Sequence, residues 1–141
     1  MLLTRRELTM LMPAIAAAAQ TPAGTEVGGS QTVRNEDITP SRNGPLTSRQ
    51  ILRTRTHSGY RLDIHESEVP PGEAPHPPHQ HVHEELMLVR EGTMDVTIAG
   101  ATTRLGPGSC AYVASNQMHG WRNVGTGTAR YFVLALGEDN A

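Results

Sequence analysis

Lysine is missing from this 141-residue chain: all 12 basic residues are arginine, a pattern that reads as genomic composition bias. The formal charge is only −2, which excludes a bulk field for nucleic acid or anionic lipid. Cys110 is the single cysteine, so no intrachain disulfide can form, and thiols say nothing about the redox compartment. Aromatics make up 4% and apolar residues 37%, a poor supply for a helical bundle. Glycine and proline, by contrast, are plentiful at 14 and 10 residues, as suits a turn-rich β protein. The length fits one domain. A core of that size without disulfides needs support from packing, pairing between chains, or a metal.

The first twenty residues stand apart. Arg5 and Arg6 precede a mild apolar run over residues 8–19, and Ala17, Ala18 and Ala19 offer a small-residue cleavage site. Pro13 interrupts the run, which is about half the length needed to cross a bilayer. The segment resembles a twin-arginine export signal, with Leu8 where that signal usually has Phe. The resemblance implies a bacterial protein that is periplasmic or secreted and keeps no membrane anchor once residues 1–20 are removed. A Sec signal or a short amphipathic helix is the alternative.

Residues 21–47 are rich in Gly and Pro without apolar periodicity, and read as a linker or arm. From residue 48 to about 137 the text becomes β-like. Strands are expected over 50–56, 60–65, 86–90, 93–98, 102–105, 109–113 and 129–136. Pro70-Pro71-Gly72 should stop the second of them. Glu91-Gly92 and Ala99-Gly100 read as hairpin turns, and Gly106-Pro107-Gly108 as another turn. Short strands with such regular punctuation indicate an all-β sandwich or barrel.

Four of seven histidines fall within eight residues: His76, His79, His81 and His83, followed by Glu84 and Glu85. On a strand, side chains two apart share a face, so His79, His81 and Glu85 could all point inward. His119 stands alone far downstream, and barrel closure could bring it opposite them. Three imidazoles and one carboxylate would leave coordination positions open, as catalysis requires. His83 shares the parity and reads as a supporting donor or a further ligand. His76 reads as a rim residue, and His57 and His65 as ordinary surface or core histidines. Glu84 should face away, solvated or paired with an Arg. Cys110 reads as a small buried hydrophobe. Met87, Val89, Trp121 and Asn123 continue the inward parity and make the expected barrel mouth mostly apolar, with Met87 and Val89 read as core filling.

The spacing resembles the cupin superfamily. Its first motif runs His-x-His, three residues, Glu, six residues, Gly, and stands here as His79-Gln80-His81, Glu85 and Gly92. The glycine that precedes it falls at Glu73, with Gly72 one residue early. In the second motif Gly108, His119 and Asn123 match, while Ala114 replaces a Pro and Asn116 a Gly. Asn best replaces Gly where positive φ is needed. The resemblance spans roughly residues 58–137. It implies a single cupin-type jelly-roll β-barrel with an extended N-terminal arm, whose metal ligands are His79, His81, Glu85 and His119. Gly92, Gly108 and Asn123 would be structural.

The implied cofactor is one divalent transition metal ion. The carboxylate favours Mn or Fe, and Ni or Zn would also accept the set. The implied activity is that of a metalloenzyme of dioxygenase, decarboxylase, isomerase or lyase type, acting on a small oxygenated compound held by the metal. The alternative is a non-catalytic periplasmic binder of a small molecule or metal, since no second acid–base group is evident from the sequence. The partners expected are a small molecule and a second copy of the chain, the arms crossing between subunits of a homodimer, with no nucleic acid.

Overall fold

A computed structural model describes residues 28–137, so the export-signal reading of residues 1–20 lies outside the described part. Among the described residues, a 3-10 turn at Asn35–Asp37 precedes nine strands. They are β1 (Ser41–Asn43), β2 (Leu46–Arg55), β3 (Arg61–Val69), β4 (Glu84–Glu91), β5 (Met94–Ile98), β6 (Ala101–Leu105), β7 (Cys110–Val113), β8 (His119–Asn123) and β9 (Ala129–Gly137). One sheet has the order β1-β2-β3-β9-β4-β7 and the other β6-β5-β8, with every pairing antiparallel. This is the all-β jelly roll expected from the sequence.

Alternation places the core between the sheets. Val69, Met87, Val89, Val113, Tyr131 and Val133 come from the larger sheet, and Met94, Val96 and Trp121 from the smaller, all buried. Burial of each such side chain stabilises by about 1.5–3 kcal/mol. Trp121 Nε1 donates to Tyr131 Oη at 3.0 Å, tying β8 to β9 across the interior. Burial pushes the Tyr131 phenol up to about 12, even though the hydrogen bond from Trp121 acts the other way.

The turns follow their residues. Ile98 pairs with Ala101, so Ala99-Gly100 is a two-residue hairpin loop with both residues at positive φ. Pro70-Pro71-Gly72 follows the end of β3, as the sequence suggests. Glu91-Gly92, however, is not a hairpin: β4 pairs with β7 and β9, while β5 pairs with β6 and β8. Gly92 is the corner at which the chain crosses from one sheet to the other. Its φ is +87°, and a Cβ there would lie 2.7 Å from the Cα of Ala129. Gly92→Ala should therefore cost about 2–5 kcal/mol, adding overpacking to left-handed strain. Gly108→Ala, at φ +82° with nothing within 4 Å, should show only the backbone part. Urea unfolding of both variants checks the difference.

Two smaller expectations are corrected, and a third gains a partner. Residues 79–83 do not form a strand: His79 makes one antiparallel bridge to His119, and β4 begins at Glu84. The backbone here meets the downstream stretch at single points, His79 with His119 and the Asn116 N–H with the His81 carbonyl, and not a neighbouring strand along its length. Cys110 is exposed, because its parity in β7 puts it on the outer face opposite Ala111 and Val113. Glu84 is exposed as expected, but its partner is Tyr112, whose hydroxyl donates to Oε1 at 2.7 Å, rather than an Arg.

Candidate metal centre

Two stretches of chain meet at the mouth of the barrel. Backbone bonds lock them: His79 N–H donates to the His119 carbonyl at 2.9 Å, and His119 N–H to that of His79 at 2.8 Å. Asn116 N–H donates to the His81 carbonyl at 2.7 Å, from a turn in which Asn116 sits at φ +60°. That is the left-handed conformation its place in the motif requires. Gly120 lets the proline segment close, since a Cβ there would touch Pro78 at 3.3 Å.

The four side chains predicted as ligands are brought together. His79, His81 and His119 have donor atoms within 4.8 Å of one another. Glu85 Oε2 lies 3.3 Å from His81 Nε2 and 3.1 Å from His119 Nε2. His119 is buried, and the other three are partly buried. His83 stacks on His81 with ring centroids 3.6 Å apart, and forms a second, overlapping group with His81 and Glu85. His76 packs edge-on against His79 at 4.3 Å, as a rim residue would.

Hydrogen bonds decide which nitrogens face inward. His81 Nδ1 is 2.8 Å from the His83 carbonyl, and His119 Nδ1 is 2.8 Å from that of Gln117. A carbonyl only accepts, so both Nδ1 atoms donate and each neutral ring turns its Nε2 lone pair inward. Two lone pairs then confront one carboxylate oxygen, an arrangement that repels unless a cation lies between them. His79 Nδ1 adds a buried nitrogen with no hydrogen-bond partner. The chemistry of this donor set fits a divalent metal ion, with the backbone carbonyls fixing the rings from behind.

Titration follows from the same crowding. Burial, then the charges of His76, His119 and His81, hold the His79 imidazole below its ordinary value. Burial and His81 do the same for His83. The unfolded chain therefore takes up protons at about pH 6.5, before the folded one does. Stability of the metal-free protein should be complete above that pH and fall as pH drops through it. Melting temperatures at pH 7.5 and 5.5 check this, and a flat or rising profile on acidification would contradict it.

The sequence reading missed the cavity beside the cluster. A hollow of about 210 Å³ is walled by Arg61, Asp63, His65, His83, Glu85 and the backbone around Ala135. Beside apolar surface its wall carries charged and polar side chains that the sequence reading did not place there, because β3 presents Arg61, Asp63 and His65 on the same inward parity as Val69. His65 is thus a cavity residue. Residues 60–65 alternate Leu62 and Ile64 against Arg61, Asp63 and His65, and it is the polar set that lines the hollow. A larger hollow of about 450 Å³ lies against β8, walled partly by His76, Thr97, Trp121 and Arg122, and reaches only His119 of the four.

A family model described as a cupin domain matches residues 65–135, which contain all four clustered donors. The chain belongs to the cupin family. Comparison with curated proteins yields no match. Among solved structures, this cupin resembles an RmlC-like cupin from Shewanella frigidimarina (17% identity, TM-score 0.66, covering 79% of this chain and 94% of that one). It also resembles the polyketide cyclase RemF from Streptomyces resistomycificus (24%, 0.60, 77% and 80%). A third is a predicted oxalate decarboxylase from Thermotoga maritima (18%, 0.63, 76% and 99%). At these identities the likeness concerns the fold.

Proposed function

We propose that this cupin is a metal-dependent enzyme that binds one divalent transition metal through His79, His81, Glu85 and His119 and acts on a small oxygenated organic compound. The observation that carries the reading is the convergence of two Nε2 atoms on one Glu85 oxygen, with both Nδ1 atoms already committed to carbonyls. Mn or Fe suits three imidazoles and a carboxylate, and Ni or Zn would also bind. Such an ion supplies Lewis acidity and a template for oxygen donors. The chain's own residues hold it, shield it with buried Met87, Val113 and Trp121, and offer polar groups beside it. Cupin-fold neighbours described as a cyclase and a predicted decarboxylase support an enzyme of dioxygenase, decarboxylase, isomerase or lyase type.

The non-catalytic alternative drew on the want of acid–base groups near the site, and the imidazoles of His65 and His83 on the wall of the adjoining hollow weigh against it. The test is turnover: metal-loaded protein with phenols, diketones and keto acids, followed by product analysis and oxygen consumption. Consumption of one class supports the enzyme. Tight retention of a ligand without turnover favours the binder.

We further propose export through the twin-arginine-like segment, which the mass of the processed N-terminus in cell fractions tests. The chain is also proposed to form a homodimer. Beyond the edge strands and arm, support comes from the outer face of the larger sheet. There Leu52, Ile64, Leu134, Leu86 and Tyr112 pair in one apolar row across five strands. Tyr112 is exposed and the other four are half-buried, and a contiguous apolar face of this kind marks an interaction site. Light scattering should give a dimer for the native chain and a monomer for Leu134→Arg, whereas a native monomer overturns the assembly.

A further inference from the structure

The hollow beside the histidine cluster and the larger one on the outer side of the smaller sheet differ in their charges. In the larger one, Asp95 is paired with Arg104 at 2.8 Å and Arg122 donates to the Gly72 carbonyl, so its charged groups are engaged. In the smaller one, both oxygens of Asp63 are taken: Oδ1 accepts from Gln50 Nε2 at 2.9 Å and Oδ2 from Arg53 Nε at 2.7 Å. These bonds and the Arg53 charge outweigh burial and keep the Asp63 carboxyl below its ordinary value. Glu85 is directed at the histidines. Arg61, on the wall of the same hollow, has no carboxylate partner among the described residues. One cationic fork with nothing to bind therefore faces a cavity whose acidic groups are already satisfied. A guanidinium so placed matches a carboxylate or comparable planar anion.

The rest of the wall fits the same occupant. His65 stands on the same wall, its Nδ1 3.6 Å from Asp63 Oδ1, and offers the imidazole as a second polar group to an occupant. The hollow has room for about seven waters' worth of volume, the scale of a small organic acid. Glu85 is common to the histidine cluster and the cavity wall, so one molecule can reach both.

We propose that this hollow is the substrate's anion subsite: Arg61 binds a carboxylate at one end of a small organic acid whose other end is held by oxygen at the metal centre, with His65 contacting the chain between. This names the substrate class of the proposed enzyme and rests on that reading of the centre. The order of events is binding only, and no bond is made or broken at Arg61.

The test uses two probes that differ only in the far end. 2-Oxoglutarate carries a distal carboxylate, and 2-oxopentanoate carries a methyl group there. Calorimetric titration of the metal-loaded chain should show 2-oxoglutarate binding at least about tenfold tighter, the value of one charge-assisted contact. Arg61→Gln should erase that preference, and Arg61→Lys should keep part of it. Arg61 is exposed, at the start of β3, so both variants should keep the native circular dichroism. Equal binding of the two probes by the native chain, or an undiminished preference in Arg61→Gln, overturns the subsite. Metal content is measured on the same samples. A native chain that takes up no metal overturns the centre and the subsite together, while a fully loaded chain without the preference overturns the subsite alone.

Discussion

Exchanging Glu85 for glutamine is expected to weaken divalent-metal binding by more than about 100-fold, beyond the 10–100-fold typical of losing an outer hydrogen-bond partner. Glutamine keeps the shape but removes the only negative charge among the four donors and sets an amide against two Nε2 lone pairs. His119→Gln should act comparably, since its ring is buried and its Nε2 points at the same oxygen. His83→Gln should change affinity by less than about tenfold, because the part of His83 that serves the centre is its backbone carbonyl, which the substitution keeps. The comparison is informative because His81 and Glu85 belong to two overlapping donor groups, one completed by His79 and His119 and the other by His83. A large loss in His83→Gln with little in His119→Gln would move the ion to the second group. Equilibrium dialysis against Mn²⁺ and Zn²⁺ supplies the measurement.

The second large effect lies away from the donors. Asn123 is fully buried, and its amide makes three hydrogen bonds. Nδ2 donates to the carbonyls of Val69 and Gly127, both at 2.8 Å, and Oδ1 accepts from Gly125 N–H at 2.9 Å. It thereby joins the end of β3 to the loop that leads into β9. Asn123→Ala should destabilise the fold by about 3–5 kcal/mol, since each orphaned buried group costs about 1–3 kcal/mol. Asn123→Asp should be no better: it keeps the acceptor but turns a carboxylate toward two carbonyl oxygens. Denaturant unfolding midpoints report the loss. A value within about 0.5 kcal/mol of the native chain, the range of ordinary surface changes, would mean that these bonds are not the link described.

Much of this was legible from spacing. Period-two alternation and Gly or Pro punctuation placed most of the strands, and the two histidine motifs pointed to residues that the fold brings within a few ångströms. Asn116 could be read as a positive-φ residue because so few side chains tolerate that region. What stayed illegible was whatever depended on which sheet a strand joins. Gly92 looks like a hairpin glycine because a corner between sheets and a tight turn both need φ > 0, and only pairing partners tell them apart. The inward face of β3 was hidden for a related reason. Leu62 and Ile64 are apolar, but they lie on the outer face, in or beside the row that includes Leu134 and Leu86, while polar Asp63 and His65 face the cavity. Apolar content marks the interior only when a sheet has one covered face. The histidine loop reads as strand because parity alone does not show whether a partner strand runs alongside, and here only single backbone contacts do.

The account turns on whether the inward-facing nitrogens and Glu85 hold a metal ion rather than share protons. Full-length protein prepared without chelator should carry one transition metal ion per chain by inductively coupled plasma mass spectrometry, and Glu85→Gln prepared in the same way should carry little. Native protein without a stoichiometric ion, taking up none from a mixture of Mn²⁺, Fe²⁺, Ni²⁺ and Zn²⁺, would contradict it.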